Sequence, residues 1–170
     1  MATTETLRTE FERYMDEHNV KYTVVNEAEN VVLLSFSRSE DESTRVFVDF
    51  DESDNASSVH FCVQNFAKVK SQDLLPKALL IVNELNMNWR WLKFYIDVNS
   101  LEITADSDAK VFPGTVGDEC TEICFRAANI IDEAFKQLDA VIEKDEGEDT
   151  PSKEELLSML KQLMDQISNE

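Results

Sequence analysis

Residues 83–106, NELNMNWRWLKFYIDVNSLEITAD, change their period in mid-course. Up to Met87 the apolar positions Leu74, Leu75, Ala78, Leu79, Val82 and Leu85 recur at three and four, which predicts a helix over 72–87 with Pro76 absorbed in its first turn. Asn86 or Asn88 can close that helix in a left-handed conformation. From Trp91 onward the pattern alternates instead, with Leu92, Phe94, Ile96 and Val98 on one side and Trp91, Lys93, Tyr95 and Asp97 on the other. A second short run follows Asn99 and Ser100 and offers Leu101, Ile103 and Ala105 to the same interior, so a hairpin is expected. One face of the first strand of this hairpin is half aromatic, which solubility does not require.

Working back toward the N-terminus, four segments read as consecutive antiparallel strands: KYTVVNE, NVVLLSFSR, TRVFVDFDE and SSVHFCVQNF, each bounded by Asn, Ser, Asp and Glu. Alternation places Val32, Leu34 and Phe36, then Val46, Val48 and Phe50, then Val59, Phe61 and Val63 in the core. The opposite sides are mostly polar, with Leu33 and Phe47 as exceptions. Before them, Leu7, Phe11, Tyr14 and Met15 mark an amphipathic helix over 4–18 that ends near His18 and Asn19. After the hairpin, a loop at Phe112, Pro113 and Gly114 precedes a long helix over about 116–144, whose inward side carries Cys120, Ile123, Cys124, Ala127, Ile131, Ala134, Phe135, Leu138 and Val141.

The whole is an α+β domain over residues 1–144: an antiparallel sheet of five to six strands with flanking helices. An acidic linker, 145–151, leads to an extra C-terminal helix over 152–170, with Ser152 and Glu155 in capping-box spacing. Its stripe of Leu156, Leu160, Leu163 and Ile167 needs cover, either from its own domain or from another chain.

Charge and composition remove several function classes. Among 170 residues, 16 are basic and 35 acidic, a net charge of -19 that repels phosphate backbones and anionic lipid, so neither nucleic acid nor a membrane is an expected partner. The N-terminal MATTETLRTEFERY has no apolar core between its charges, and a cytoplasmic location is expected. Three cysteines, Cys62, Cys120 and Cys124, fit reduced thiols, the latter pair as small buried hydrophobes. A metal site would need about four ligands, and only His18 and His60 could add imidazole. The three glycines cannot build a dinucleotide or phosphate loop. DFDESDN at 49–55 resembles a calcium loop, but Asp54 stands where glycine is needed and His60 where glutamate is needed, leaving a solvated turn. No nucleophile with a base is indicated, no catalytic residue and no cofactor are expected, and a hydrolase or metal enzyme is the remotest reading.

The residues NELNMNWRWLKFYID, a turn, and LEITAD resemble the YbjN-like family, described as bacterial sensory transduction regulators. There an Asn-x-Leu-Asn helix end leads into an aromatic and basic strand, an acidic turn and a second strand. The match is distinctive over 83–106, the order of elements agrees over about 7–142, and the final helix lies outside it. Asn99 and Ser100 depart from the usual Asp-Gly turn. The resemblance implies a fold like that of type III secretion chaperones, commonly dimeric, which bind segments of other polypeptides without catalysis.

Together these readings describe a cytoplasmic, homodimeric binding module whose partner is a polypeptide. Trp91, Tyr95 and Phe47 on the sheet, with Leu156, Leu160, Leu163 and Ile167 on the last helix, are the candidate partner-binding residues. The alternative is a signal-sensing regulator whose C-terminal helix docks on its own sheet and covers Trp91 and Tyr95.

Overall fold

Strand alternation needs a partner layer on one face only, and the chain supplies it in the order the periodicities predict. The computed structural model describes residues 4–26, 30–38, 42–50 and 58–143. The expected acidic linker, the C-terminal helix and most of the calcium-like turn lie outside the described residues. The elements are α1 (Thr4–Glu17), β1 (Thr23–Asn26), β2 (Val31–Ser37), β3 (Ser43–Asp49), β4 (Ser58–Lys68), a single 3-10 turn (Gln72–Leu74), α2 (Leu75–Asn88), β5 (Lys93–Ile96), β6 (Glu102–Lys110) and α3 (Val116–Leu138). The six strands form one antiparallel sheet in the order β1-β2-β3-β4-β6-β5. The chain leaves β4, crosses through α2 to the far edge, and returns as β6 between them.

The register sets one inward-facing row across the sheet, the half-buried Val24 followed by the buried Val32, Val48, Phe61 and Ser107, beside a second formed by Val63, Ala105 and Phe94. Against this inner face lie Leu7, Phe11 and Met15 of α1, Ala78, Val82 and Leu85 of α2, and Cys120, Cys124, Ala127, Ile131, Ala134 and Leu138 of α3, all in one core. Small residues on α3 let it lie close to the sheet. Gly117 does the same for α1: a Cβ there would come within 2.2 Å of the Tyr14 ring. That ring stacks on His18 at 3.9 Å between centroids, and its hydroxyl donates to Asp118 Oδ1 at 2.7 Å.

Several expectations need correction. Phe36 is half-buried rather than core and meets Phe125 edge to face at 5.1 Å. Leu79 is 44% exposed because the inward stripe of α2 narrows to Ala78, Val82 and Leu85. Helix α3 stops at Leu138, not near 144, because the next residues turn back to bond with the end of β4: Lys70 N–H donates to Val141 O at 2.9 Å and Glu143 N–H to Lys68 O at 2.7 Å.

The hairpin turn is longer than two residues. Asp97 Oδ1 accepts the Asn99 N–H at 2.8 Å, Leu101 N–H returns to Asp97 O at 2.7 Å, and Leu101 takes φ 65°. Val98 therefore sits in the turn, 50% exposed.

Helix α2 ends at Trp89 in extended backbone, not at a left-handed asparagine, because Asn86 is used otherwise. Its Oδ1 accepts the Phe94 N–H at 2.8 Å and its Nδ2 donates to Phe94 O at 2.9 Å. The amide thus replaces a missing strand along the outer edge of β5. Helix α1 does close as expected, with Asn19 at φ 55° and Val20 N–H donating to Met15 O at 2.9 Å.

Asn86→Ala leaves both Phe94 backbone groups without that partner, and a loss of about 1–3 kcal/mol in urea unfolding is expected; a change under about 0.5 kcal/mol would show the amide to be dispensable. Gly117→Ala forces the Tyr14 ring away and is expected to destabilise by about 1–3 kcal/mol, a loss that Tyr14→Ala in the same chain should largely remove.

Candidate functional site

The face opposite the core is also laid out by register. One row runs across all six strands: Thr23, Leu33, Phe47, Cys62, Asp106 and Lys93. Beside it lie Val31, Asp49, His60 and Asp108 on one side, and Ser35 with Arg45, and Tyr95 with Thr104, on the other. Leu33, Phe47 and Cys62 are half-buried by their strand neighbours alone, while Tyr95 is 48% exposed. The buried apolar residues of α1, α2 and α3 join the core on the inner face, so among the described residues no helix roofs this outer one.

The structure gathers some of the expected residues and separates others. Phe47 and Tyr95 share the outer face, with β4 and β6 between their strands. Trp91 does not join them: it precedes β5, is half-buried, and lines a cavity of about 350 Å³ with Trp89, Arg126, Asn129 and Ile130 beside α3. Alternation could not show this, because the strand begins only at Lys93. Leu156, Leu160, Leu163 and Ile167 lie outside the described residues. Leu33, Cys62 and Asp106 complete the row. Cys62 was legible in the alternation of 57–66, but its neighbour Asp106 depended on strand order.

The electrostatics of the face centre on Asp106. Its Oδ2 lies 3.8 Å from His60 Nε2. Partial burial first, and then the Asp106 carboxylate, raise the Tyr95 phenol above its ordinary value. The same two causes in the same order push the Cys62 thiol up to about 11. Lys93 is drawn to the end of α2, where its Nζ donates to Trp89 O at 3.1 Å and Asn86 O at 3.3 Å. The centre of the face is thus apolar and its flank carries Asp49, Asp106 and Asp108. Such a surface suits a ligand with apolar and basic groups, while a thiol held protonated is a poor nucleophile. On the inner side, burial raises Cys120 to about 12 and Cys124 well above its ordinary value, in keeping with two thiols packed in the core.

Among the described residues no helix is long and apolar enough to cross a membrane, and no His, Cys, Asp and Glu group is arranged to hold a metal ion. Comparison with known proteins gives a family match over residues 8–140 to the YbjN model, described as "Putative bacterial sensory transduction regulator". Two solved structures are similar. The first, "Crystal structure of YbjN, a putative transcription regulator from E. coli", is 13% identical, covers 78% of this chain and 93% of its own, and superposes with a TM-score of 0.55. The second, "Crystal Structure of the ExsC-ExsE Complex", is 17% identical, covers 79% and 92%, and has a TM-score of 0.47. No curated protein matches. At such identities the likeness to the E. coli protein is one of fold.

At pH 8 the Cys62 thiol, titrating near 11, is thiolate in about one molecule per thousand, against about one in four for an ordinary cysteine with a pKa of about 8.5. Alkylation of Cys62 in the native protein should keep rising about tenfold per pH unit through pH 10, and Asp106→Asn should shift that profile downward. A plateau below pH 9.5 would contradict this placement.

Proposed function

This chain belongs to the YbjN family, and on that premise we propose that it is a regulatory or chaperone-like protein-binding module, cytoplasmic and non-catalytic, that works as a homodimer and captures a polypeptide segment on the outer face of its sheet. The observation that carries the reading is the row Leu33, Phe47 and Cys62, flanked by Tyr95, which no described helix covers. Uncovered apolar surface with an acidic border supports an amphipathic, basic segment as the ligand, because each half of such a segment finds its complement. The net charge of -19 supports the same choice and disfavours nucleic acid.

A second reading draws on the same face. The stripe at Leu156, Leu160, Leu163 and Ile167 could serve as its cover, making the last segment a regulatory appendage released by a signal. The two readings differ in what truncation does. Removing residues 146–170 exposes new apolar surface only in the second, where dye binding and self-association rise; in the first both stay level.

Affinity capture with the full chain, compared with Phe47→Ala, Tyr95→Ala and the remote control Leu80→Ala, tests the main reading. Phe47→Ala is expected to weaken a captured polypeptide by about 2 kcal/mol, roughly thirtyfold, with Leu80→Ala unchanged. Equal capture by all four chains would remove the outer face from consideration, and a monomer by light scattering at every concentration would remove the dimer.

A further inference from the structure

Along β3 the backbone groups alternate between two neighbours. Arg38 N–H donates to Glu42 O at 2.8 Å and Phe50 N–H to Asn30 O at 3.3 Å, which places Thr44, Val46 and Val48 in the pairs bonded to β2. The residues between them, Ser43, Arg45, Phe47 and Asp49, turn their N–H and C=O groups the other way. Phe47 and Asp49 meet Cys62 and His60 of β4 there, and the ladder then stops, so β4 pairs with neither Ser43 nor Arg45.

The strands part where β4 is irregular, between Val63 and Ala67. Asn65 takes φ 47° there, its N–H donates to Thr104 Oγ1 at 3.0 Å, and the Thr104 hydroxyl donates to Asn65 Oδ1 at 3.1 Å. The parting opens a slot of about 450 Å³, the size of a small-molecule site. It passes through the sheet: exposed Arg45 and half-buried Phe47 stand at its outer mouth, while buried Thr44 and Val63, with Phe66 and Phe135, wall its inner end.

Two observations distinguish this slot from a fault in packing. Thr44 is 3% exposed, yet its hydroxyl has no hydrogen-bond partner among the described residues. Buried hydroxyls are normally paired, and valine has the same shape without the unmet demand. The second observation is charge. In a chain with 35 acidic and 16 basic residues, the slot is lined by two arginines and no carboxylate. Arg38 is already neutralised, since its guanidinium lies 3.4 Å over the Phe135 ring, bonds Glu42 at 3.0 Å and pairs with Asp132 at 3.3 Å without hydrogen-bond geometry. Arg45 has no ion pair among the described residues, which leaves one uncompensated positive charge at the mouth.

From outside to inside the slot thus presents a guanidinium, an open strand edge, and a hydroxyl beside two aromatic rings. One charge matches a carboxylate, the edge matches an amide, and the rings match an apolar group. The Arg38 and Phe135 stack closes the inner end, so the matching molecule is short. We propose that the slot binds a small acylated amino acid with an apolar side chain: carboxylate on Arg45, amide N–H on the open edge of β3, and acyl oxygen accepting from the Thr44 hydroxyl. The inference is independent of polypeptide capture, because these contacts run through the sheet rather than along the outer row.

Titration of the isotope-labelled full chain with N-acetylphenylalanine, and with its uncharged amide N-acetylphenylalaninamide as control, tests it. Saturable binding of the acid at or below about 1 mM is expected, with backbone amide shifts at 43–46 and 64–66 and none at Tyr95 or Asp106. The uncharged control should bind at least about tenfold more weakly. Arg45→Gln should bring the acid down to the level of that control and leave the control unchanged. Thr44→Val should weaken both molecules at least about threefold while raising the urea midpoint of the ligand-free chain, a combination that a threonine with a merely structural role would not give. No saturation by about 10 mM, equal binding of acid and control, shifts centred on Tyr95 and Asp106, or a lowered midpoint in Thr44→Val would each overturn the proposal.

Discussion

The structure depends on one-sided burial of a six-stranded sheet. Successive strand residues point to opposite faces, so covering one face with three helices commits every second residue from β1 to β5 to the other face, which no described helix covers. The burial is deep on the covered side: Val32, Val46, Val48, Val59, Ile103 and Ala105 have no exposed surface. The layer above them is built from small side chains on α3 and from the long apolar residues of α1, with Phe11 meeting Phe50 at 5.5 Å between ring centroids. A slip of one residue in any strand would exchange the faces and put Asp49, His60 and Asp106 into this core. The cost of burying those groups fixes the register as firmly as the burial of valine does. The outer row is therefore a consequence of the inner one in position, although not in chemistry.

That distinction explains what could be read from the amino-acid order. Period alone identified three helices and six strands, because each was long or regular enough to show its repeat, and nearly all of the inner face followed. What could not be read were features that depend on which strands become neighbours. Nothing local in LEITADSDAK says that it will lie beside SVHFCVQNFAK rather than at an edge, so the contact of Cys62 with Asp106 was hidden. Trp91 was misplaced on the strand face for a different reason. Alternation was extended two residues too early, into backbone that turns toward α3. Asn86 shows a third limit: a residue suited to ending a helix was used to finish a sheet edge, and tertiary demand outweighed the local preference.

The acidic balance acquires a more specific meaning on the folded chain. Asp49, Asp106 and Asp108 border the apolar row on one side and Arg45 on the other, while Lys93 is held by the carbonyls that end α2. A face of this kind attracts basic segments over a Debye length of about 8 Å at physiological salt and then rewards apolar contact at short range. The same charges discourage two such faces from meeting directly, because that would juxtapose like carboxylates.

Asn65 links the core to the slot. Its left-handed backbone inserts extra residues into β4 against β6, and this reverses which way the following side chain points. Phe66 thereby turns inward, where it meets Phe94 at 6.0 Å and Phe135 at 5.3 Å, and Phe135 in turn supports the Arg38 guanidinium. Restoring regular pairing between β3 and β4 would require straightening that irregularity, which would take Phe66 out of the core and leave a cavity beneath Phe135. The opening between the strands is thus held by aromatic packing on the inner face, and it cannot close without loss of core.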